Sequence, residues 1–188
     1  LESKLNKDTL SITFDDGFDD NLKAFEYLEK YSIPYNLYIT TNFIDQKLYL
    51  KKNQIKYISK FQNCKIGLHG HSHKPMAKMN FKEQEHEITK GKKILEDLIG
   101  MNIVHFAYPH GSYNDESTLL LKNNKFKTAV SSRVGLNRLN KLDLLKLRRN
   151  EIIGSDNITE LKKKLNGYYD YIGVRRYSSV KCYWFYEI

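Results

Sequence analysis

The sequence has few cysteines and no long apolar run. Its two cysteines, Cys64 and Cys182, lie far apart among 188 residues, which predicts neither a disulfide framework nor a Cys-x-x-Cys metal site. No apolar stretch approaches the roughly 18–20 residues that span a bilayer, and the polar residues 1–8 resemble no secretory signal. We expect a single domain, residues 1–188, that is large enough to fold around its own core.

Positive charge is abundant: 31 Lys and Arg stand against 22 Asp and Glu, a net charge of +9. A surplus of this kind suits a polyanion such as nucleic acid, an anionic membrane surface or an acidic glycan. The basic residues form short dispersed runs, and no helix-turn-helix, zinc-finger or RNP-type pattern accompanies them. We therefore expect solvated helix faces, no nucleic-acid partner, and at most peripheral association with an anionic cell surface.

Strand and helix patterns alternate along the chain. This order predicts an α/β fold in which a mostly parallel sheet or barrel carries outer helices. Asp19 or Asp20 is the predicted cap of the first helix, and the tyrosine-rich tail after residue 165 is a candidate for one or two further strands. The predicted strands are 10–14, 35–40, 65–68, 103–108 and 126–130, and the predicted helices are 22–31, 55–61, 81–99, 116–122 and 158–165.

Three of the six histidines follow the third predicted strand, at positions 69, 71 and 73. If this segment turns helically, His69 and His73 lie on one face about 6 Å apart. That spacing suits two ligands of one divalent metal, with zinc the usual choice for imidazole. A solvated polar loop is the alternative interpretation.

Two adjacent carboxylates, Asp15 and Asp16, follow the first predicted strand. Burying both without a partner is costly. On an extended chain neighbouring side chains point in opposite directions, so one carboxylate can face a metal and the other a substrate. The alternative is an Asp-rich turn that caps a helix, a role that Asp19 and Asp20 fit better.

Three segments together resemble the NodB-homology polysaccharide deacetylases, carbohydrate esterase family 4. Residues 13–17 read Thr-Phe-Asp-Asp-Gly and are similar to the first motif of that family, and residues 66–73 contain the His-x-x-x-His of the second. Residues 106–114 include Tyr-Pro-His-Gly, which resembles the Tyr-Pro-Tyr-Gly form of the third motif. The resemblance covers roughly residues 9–153 and implies a distorted (β/α) barrel with mostly parallel strands and outer helices.

The resemblance also implies a site. It predicts a divalent metal, zinc by preference, an acetylated glycan or amino-sugar substrate, and a backbone N–H of residues 108–111 that binds the oxyanion. The residues that it assigns are the metal ligands Asp16, His69 and His73, the general base Asp15, and the substrate-binding loop residues Tyr108, Pro109 and Gly111. Tyr113 is a further substrate-binding candidate, because sugar rings stack on aromatic side chains and Tyr113 lies closest to the predicted site.

Two departures from the family pattern affect the catalytic residues. Ala107 stands where many members carry an arginine that orients the base, and we expect Arg149, in a later Leu-x-Arg segment, to take its place. The family also supplies a histidine near the C-terminus as the proton donor, whereas this chain has no histidine after His110. His110 and His71 are the candidates to replace it, and a surface or structural role is the alternative for both.

Three functions remain open from the sequence. The first is a metal-dependent deacetylase of a bacterial polysaccharide or sugar. The second is a hydrolase of another C–N bond, an amide or cyclic imide, on the same fold. The third is a catalytically weak glycan-binding relative. The substrate sugar, N- against O-deacetylation, the compartment (cytoplasm or cell envelope) and the oligomeric state stay open.

Overall fold

The computed structural model describes residues 9–172, without the side chain of Leu139. Five strands alternate with five α-helices, as the pattern predicts. The strands are β1 (Ile12–Phe14), β2 (Tyr35–Ile39), β3 (Cys64–Leu68), β4 (His105–Ala107) and β5 (Thr128–Val130). The helices are α1 (Leu22–Lys30), α2 (Lys52–Ile58), α3 (Phe81–Ile99), α4 (Asp115–Asn123) and α5 (Ile158–Leu165).

The strands form one sheet in the order β1-β2-β3-β4-β5, and every neighbouring pair is parallel. Each crossover between consecutive strands returns the chain to the edge where the strands begin, so the carboxyl ends of all five strands lie together at the opposite edge. The sheet curls into a half-barrel with helices outside it. The predicted fold class, an α/β barrel of mostly parallel strands, is confirmed.

Buried aliphatic and aromatic side chains fill the space between the sheet and its helices. Leu37, Leu68 and Phe106 of the strands and Ile55 and Ile88 of the helices have no exposed surface. Burial of such side chains contributes about 1.5–3 kcal/mol each. This packing holds the strand ends, and the loops that follow them, in fixed positions.

Segment 147–149 bridges the open side of the half-barrel. Leu147 forms a parallel bridge with Val130 at the end of β5. The Arg149 side chain then donates from Nε to the Ser131 carbonyl at 3.0 Å and from Nη1 to Thr13 Oγ1 at 3.0 Å. One arginine therefore connects the last strand with the first.

Two local predictions, the cap of the first helix and the strands of the tail, are not borne out by the described residues. Asp19 and Asp20 do not cap α1, because they form a separate 3₁₀ turn and Asn21 precedes the helix without a side-chain cap. Tyr168 and Tyr171 are exposed in the turns after α5; the rest of the predicted tail strands falls after residue 172, outside the described residues. No helix within residues 9–172 has the length and hydropathy needed to cross a membrane.

Candidate active site

The loops after β1, β3 and β4 meet at the carboxyl edge of the sheet. They bring together Asp16, His69 and His73, each of which offers one ligand atom, all within 4.8 Å of one another. In parallel α/β barrels this edge is where catalytic residues gather. The site is thus assembled from segments far apart in the sequence.

His69 is the buried member of this group. Its Nδ1 is 2.8 Å from the Ala107 carbonyl oxygen, to which it donates, so its Nε2 carries the free lone pair. Nε2 lies 3.7 Å from Asp16 Oδ1 and 3.8 Å from Asp15 Oδ2. Burial lowers the pKa of His69, so the ring is neutral and able to act as a ligand.

His73 completes the histidine pair, although not through a helical turn. Residues 69–73 form a bend in which His73 has a φ of 60°, so the expectation of a helical segment is wrong. The two rings nevertheless approach to 4.9 Å between centroids, and His73 Nε2 lies 3.2 Å from Asp16 Oδ1. Burial, aided by His110, lowers the pKa of His73 to about 4.

Asp16 takes a left-handed conformation with a φ of 67°, so the extended chain expected at Asp15 and Asp16 is not observed. Both carboxylates consequently approach His69 rather than pointing to opposite sides. Thr40, which is fully buried, donates to Asp16 Oδ1 at 3.2 Å. Burial raises the pKa of Asp16, as does the neighbouring Asp15 charge. Backbone strain of this kind is typical of functional sites.

Asp15 is held by Arg149 in a two-pronged ion pair. Nη1 donates to Oδ1 and Nη2 to Oδ2, both at 2.7 Å, the geometry that makes arginine–carboxylate pairs strong and directional. Burial acts to raise the pKa of Asp15, but the charge and hydrogen bonds of the Arg149 guanidinium outweigh it, and the pKa lies below its usual value. Asp15 is therefore ionised and fixed in orientation.

Replacing Arg149 by methionine is expected to destabilise the fold by about 3 kcal/mol at neutral pH, because Asp15 would be left as an unpaired, mostly buried charge. The folded-state pKa of Asp15 would rise, so the deficit relative to wild type should shrink as pH falls and the carboxyl becomes protonated. Denaturant unfolding from pH 4 to pH 8 measures this.

Arg138→Met is the matched control, since Arg138 pairs with Asp170 at 3.5 Å and its side chain is 71% exposed. We expect that surface pair to contribute about 0–1 kcal/mol without the same pH dependence. A deficit at Arg149 as small as that control, or one independent of pH, would contradict the prediction.

The loop after β4 contains the four predicted substrate-binding residues and His110. The side chains of Tyr108 and Pro109, both predicted to bind substrate, are buried. Tyr108 donates from its hydroxyl to the Leu145 carbonyl at 3.0 Å and stacks on Tyr113 with 4.7 Å between ring centroids. The side chain of Tyr108 therefore anchors the loop in the core. Gly111 has a φ of 63°, and a Cβ there would lie 2.4 Å from Ser132 N, so only glycine fits.

His110 lies at the mouth of the site and is exposed. Its φ of 56° turns the chain between Pro109 and Gly111, and its ring lies 4.5 Å from that of His73. His71, the other candidate proton donor, has its ring contact with His86 of α3, at 6.2 Å. Of the two histidines, His110 is the one in ring contact with the Asp16, His69 and His73 group.

Two residues of the site were missed in the sequence. Thr40 directly follows β2 and donates to Asp16, and Glu87 of α3 accepts hydrogen bonds from the 69–73 loop. Glu87 had a signal: it falls in the buried stripe of α3, beside Ile88 and one turn from Gln84 and Gly91. A charged residue in such a stripe requires a partner. Thr40 had none, because a threonine is ordinary in a strand.

The donor set fits a divalent metal. Two neutral imidazoles and one carboxylate are ligands that zinc accepts, and three protein ligands leave positions open for water or substrate. The hydrogen bond from His69 Nδ1 to a backbone carbonyl is the usual support of a metal-binding histidine. Within residues 9–172 this is the group of acidic, histidine or cysteine side chains that could hold an ion.

Comparisons with known proteins agree with this arrangement. A sequence profile of the polysaccharide deacetylase family matches residues 2–129. YxkH of Bacillus subtilis (strain 168), which carries the name of a polysaccharide deacetylase, is 24% identical over 135 residues, 71% of this chain and 48% of that protein. The chain thus spans about half the length of this curated relative.

Solved structures share the fold. The Streptococcus pyogenes deacetylase PplD, in complex with acetate, matches with a TM-score of 0.78 and 22% identity, covering 86% of this chain and 72% of PplD. A polysaccharide deacetylase from Bacillus cereus matches with a TM-score of 0.74 and 22% identity, covering 81% of this chain and 50% of that one.

Proposed function

The chain belongs to the polysaccharide deacetylase family, and we propose that it is a divalent-metal-dependent enzyme that removes N-acetyl groups from a bacterial polysaccharide. The observation that carries this proposal is the arrangement of one ionised carboxylate, Asp15, beside a separate carboxylate and two imidazoles. A base next to a metal-binding group is what amide hydrolysis by activated water requires.

Asp16, His69 and His73 would hold the metal, with zinc the preferred ion. Such an ion supplies Lewis-acid polarisation of the acetyl carbonyl and a lower pKa for water. Asp15 accepts a proton from the attacking water at its carboxylate, and Arg149 keeps that carboxylate ionised and oriented toward the site. The water oxygen bonds to the carbonyl carbon, the C–N bond breaks, and acetate and a free amine leave.

The loop at 108–111 would provide two further groups, an N–H that binds the oxyanion and a proton donor to the leaving amine. The Tyr108 N–H donates to the Val130 carbonyl at 2.9 Å, the Gly111 N–H donates to the Tyr108 carbonyl at 2.7 Å, and Pro109 has no N–H. The His110 N–H is thus the donor that this loop can offer to the oxyanion. The His110 ring, exposed beside His73, is our proposed proton donor to the leaving amine.

The substrate would lie across the carboxyl edge of the sheet, against His110 and the half-buried Tyr113. The net charge of +9 supports peripheral association with an anionic cell-surface polymer, in which case binding should weaken with salt. The alternative of a catalytically weak glycan-binding relative keeps one observation in its favour, the net charge of +9, which also suits binding of an acidic glycan without catalysis.

Acetate release tests the proposal. Acetylated glucosamine oligomers and peptidoglycan fragments are incubated with the chelator-treated protein, then with added Zn²⁺ or Co²⁺. We expect release only with metal, and one free amine for each acetate. Metal-bound protein that binds these glycans but releases no acetate would instead support the glycan-binding alternative, and release without an amine would indicate O-deacetylation.

A further inference from the structure

Glu87 is a buried acidic residue that the proposed reaction does not use. It lies on the inner face of α3, where 5% of its surface is exposed. Its Oε2 accepts from the backbone N–H of His71 at 2.8 Å and from that of Ser72 at 2.7 Å. Its Oε1 accepts from the Ser72 hydroxyl at 2.6 Å. All three donors belong to His71 and Ser72, which lie between His69 and His73 in the sequence.

The 69–73 loop has a shape that needs such an acceptor. Gly70 and His73 both have left-handed backbone conformations, with φ values of 73° and 60°. Between them two consecutive N–H groups point the same way, a concavity that binds anions. Glu87 fills it with a carboxylate from the fold's own core, and without this acceptor two partly buried donors would lose their partner.

The position of α3 brings the carboxylate within reach. Gly91, one turn after Glu87, faces β3 so closely that a Cβ there would lie 2.7 Å from Leu68 Cδ1 and 3.5 Å from the Gly70 carbonyl carbon. A Cβ on Gly70 would likewise lie 3.2 Å from Glu87 Oε2. Two glycines therefore allow the helix and the loop to approach until the hydrogen bonds form.

We propose that Glu87 is a positioning residue for the metal site: by fixing the backbone of the 69–73 loop, it sets the distance and the relative orientation of His69 and His73. This inference rests on the proposed metal-dependent function. Glu87 contacts neither reacting atoms nor a ligand atom, and acts only through the loop. Partners that orient metal ligands in this way affect metal affinity by about 10–100-fold.

The test measures Zn²⁺ affinity of the full chain by competition with a chelating dye, and the visible absorption of the Co²⁺-loaded protein. Glu87→Ala is expected to weaken Zn²⁺ binding by about 10–100-fold and to alter the Co²⁺ spectrum. Glu87→Asp keeps the charge but shortens the reach, and should also weaken binding. Glu87→Gln keeps the reach and an acceptor oxygen, and should stay within about tenfold of wild type.

Glu85→Ala is the matched control, an exposed glutamate of the same helix, and should leave affinity and spectrum unchanged. If Glu87→Ala does not fold, the comparison of the Asp and Gln variants decides. Two results would overturn the inference. One is wild-type Zn²⁺ affinity and Co²⁺ spectrum in Glu87→Asp, and the other is weaker Zn²⁺ binding in Glu87→Gln than in Glu87→Asp. Either result would mean that the charge of the side chain matters and its reach does not. Wild-type protein that binds Zn²⁺ but releases no acetate would count against the proposed function alone.

Discussion

Asp15→Asn should retain its metal and lose most of its activity. Asparagine has nearly the same shape but cannot accept a proton, and removing a general base lowers kcat by about 10²–10⁴-fold. Asp15 is not one of the three residues whose ligand atoms converge within 4.8 Å, so we expect one equivalent of Zn²⁺ to remain bound. The measurements are kcat for acetate release and metal content after dialysis.

The ion pair with Arg149 determines how this variant is interpreted. Asparagine can still accept one of the two 2.7 Å bonds from the guanidinium, while its amide group faces the other nitrogen. The loss of a charge-assisted bond costs about 1–3 kcal/mol of stability, so kcat must be measured on protein shown to be folded.

Asp20→Asn is the matched control, because Asp20 is an exposed carboxylate of the same loop, and it should leave both kcat and metal content unchanged. A kcat for Asp15→Asn within tenfold of wild type would exclude Asp15 as the base. Loss of the metal would make Asp15 a ligand instead.

The helices of the fold were predictable where local signals agree with packing. The bounds of α3 match the prediction because Asn80 and Glu83 form a capping box at its start, and Gly100 ends it with a φ of 70°. The start of α2 was missed by three residues. Its apolar stripe begins at Ile55, but the helix starts at Lys52, whose N–H donates to Asp45 Oδ1 at 3.0 Å. That carboxylate comes from a preceding loop, and a periodic pattern does not reveal it.

Four of the five strands are shorter than predicted, whereas β3 begins one residue earlier, at Cys64. Residues 103–108 are apolar or β-forming except for His105, yet β4 covers only His105–Ala107 and pairs with β3 through a single register contact, Leu68 with Phe106. Hydrophobic runs report burial, whereas strand ends are set by where neighbours stop pairing. Ile103 and Tyr108 are buried outside the strand.

The candidate site was predictable in its residue types and not in its backbone. Strand-end position and spacing pointed to Asp15, Asp16, His69 and His73. A helical 69–73 segment and an extended Asp15–Asp16 pair were both wrong, because left-handed turns at Asp16, Gly70 and His73 depend on contacts from other elements. Glu87 of α3 and Thr40, directly after β2, supply those contacts at distances that only the folded chain defines.

His69→Ala is expected to abolish metal binding and, with it, acetate release. His69 is one of the three proposed ligands; its Nε2 lies 3.7 Å from Asp16 Oδ1, and its ring centroid lies 4.9 Å from that of His73. Removing it leaves only Asp16 and His73 as ligands. It also removes the imidazole that lies near both the Asp15 and the Asp16 carboxylate. Since supporting residues alone change metal affinity by about 10–100-fold, the loss of a ligand should weaken Zn²⁺ binding by at least about 100-fold.

Stability provides a second readout of the same variant. A ligand that binds only the folded protein stabilises it by about 2.7 kcal/mol at a concentration 100 times its Kd, so Zn²⁺ should raise the Tm of the wild type. His69→Ala should show no such rise, whereas His105→Ala should keep it, because His105 bonds Thr128 at 2.8 Å in β4 and lies outside the ligand group. An equal Zn²⁺-induced rise in the Tm of both variants would mean that the metal binds elsewhere in the protein. No rise in the Tm of the wild type would exclude a metal-dependent mechanism at this site.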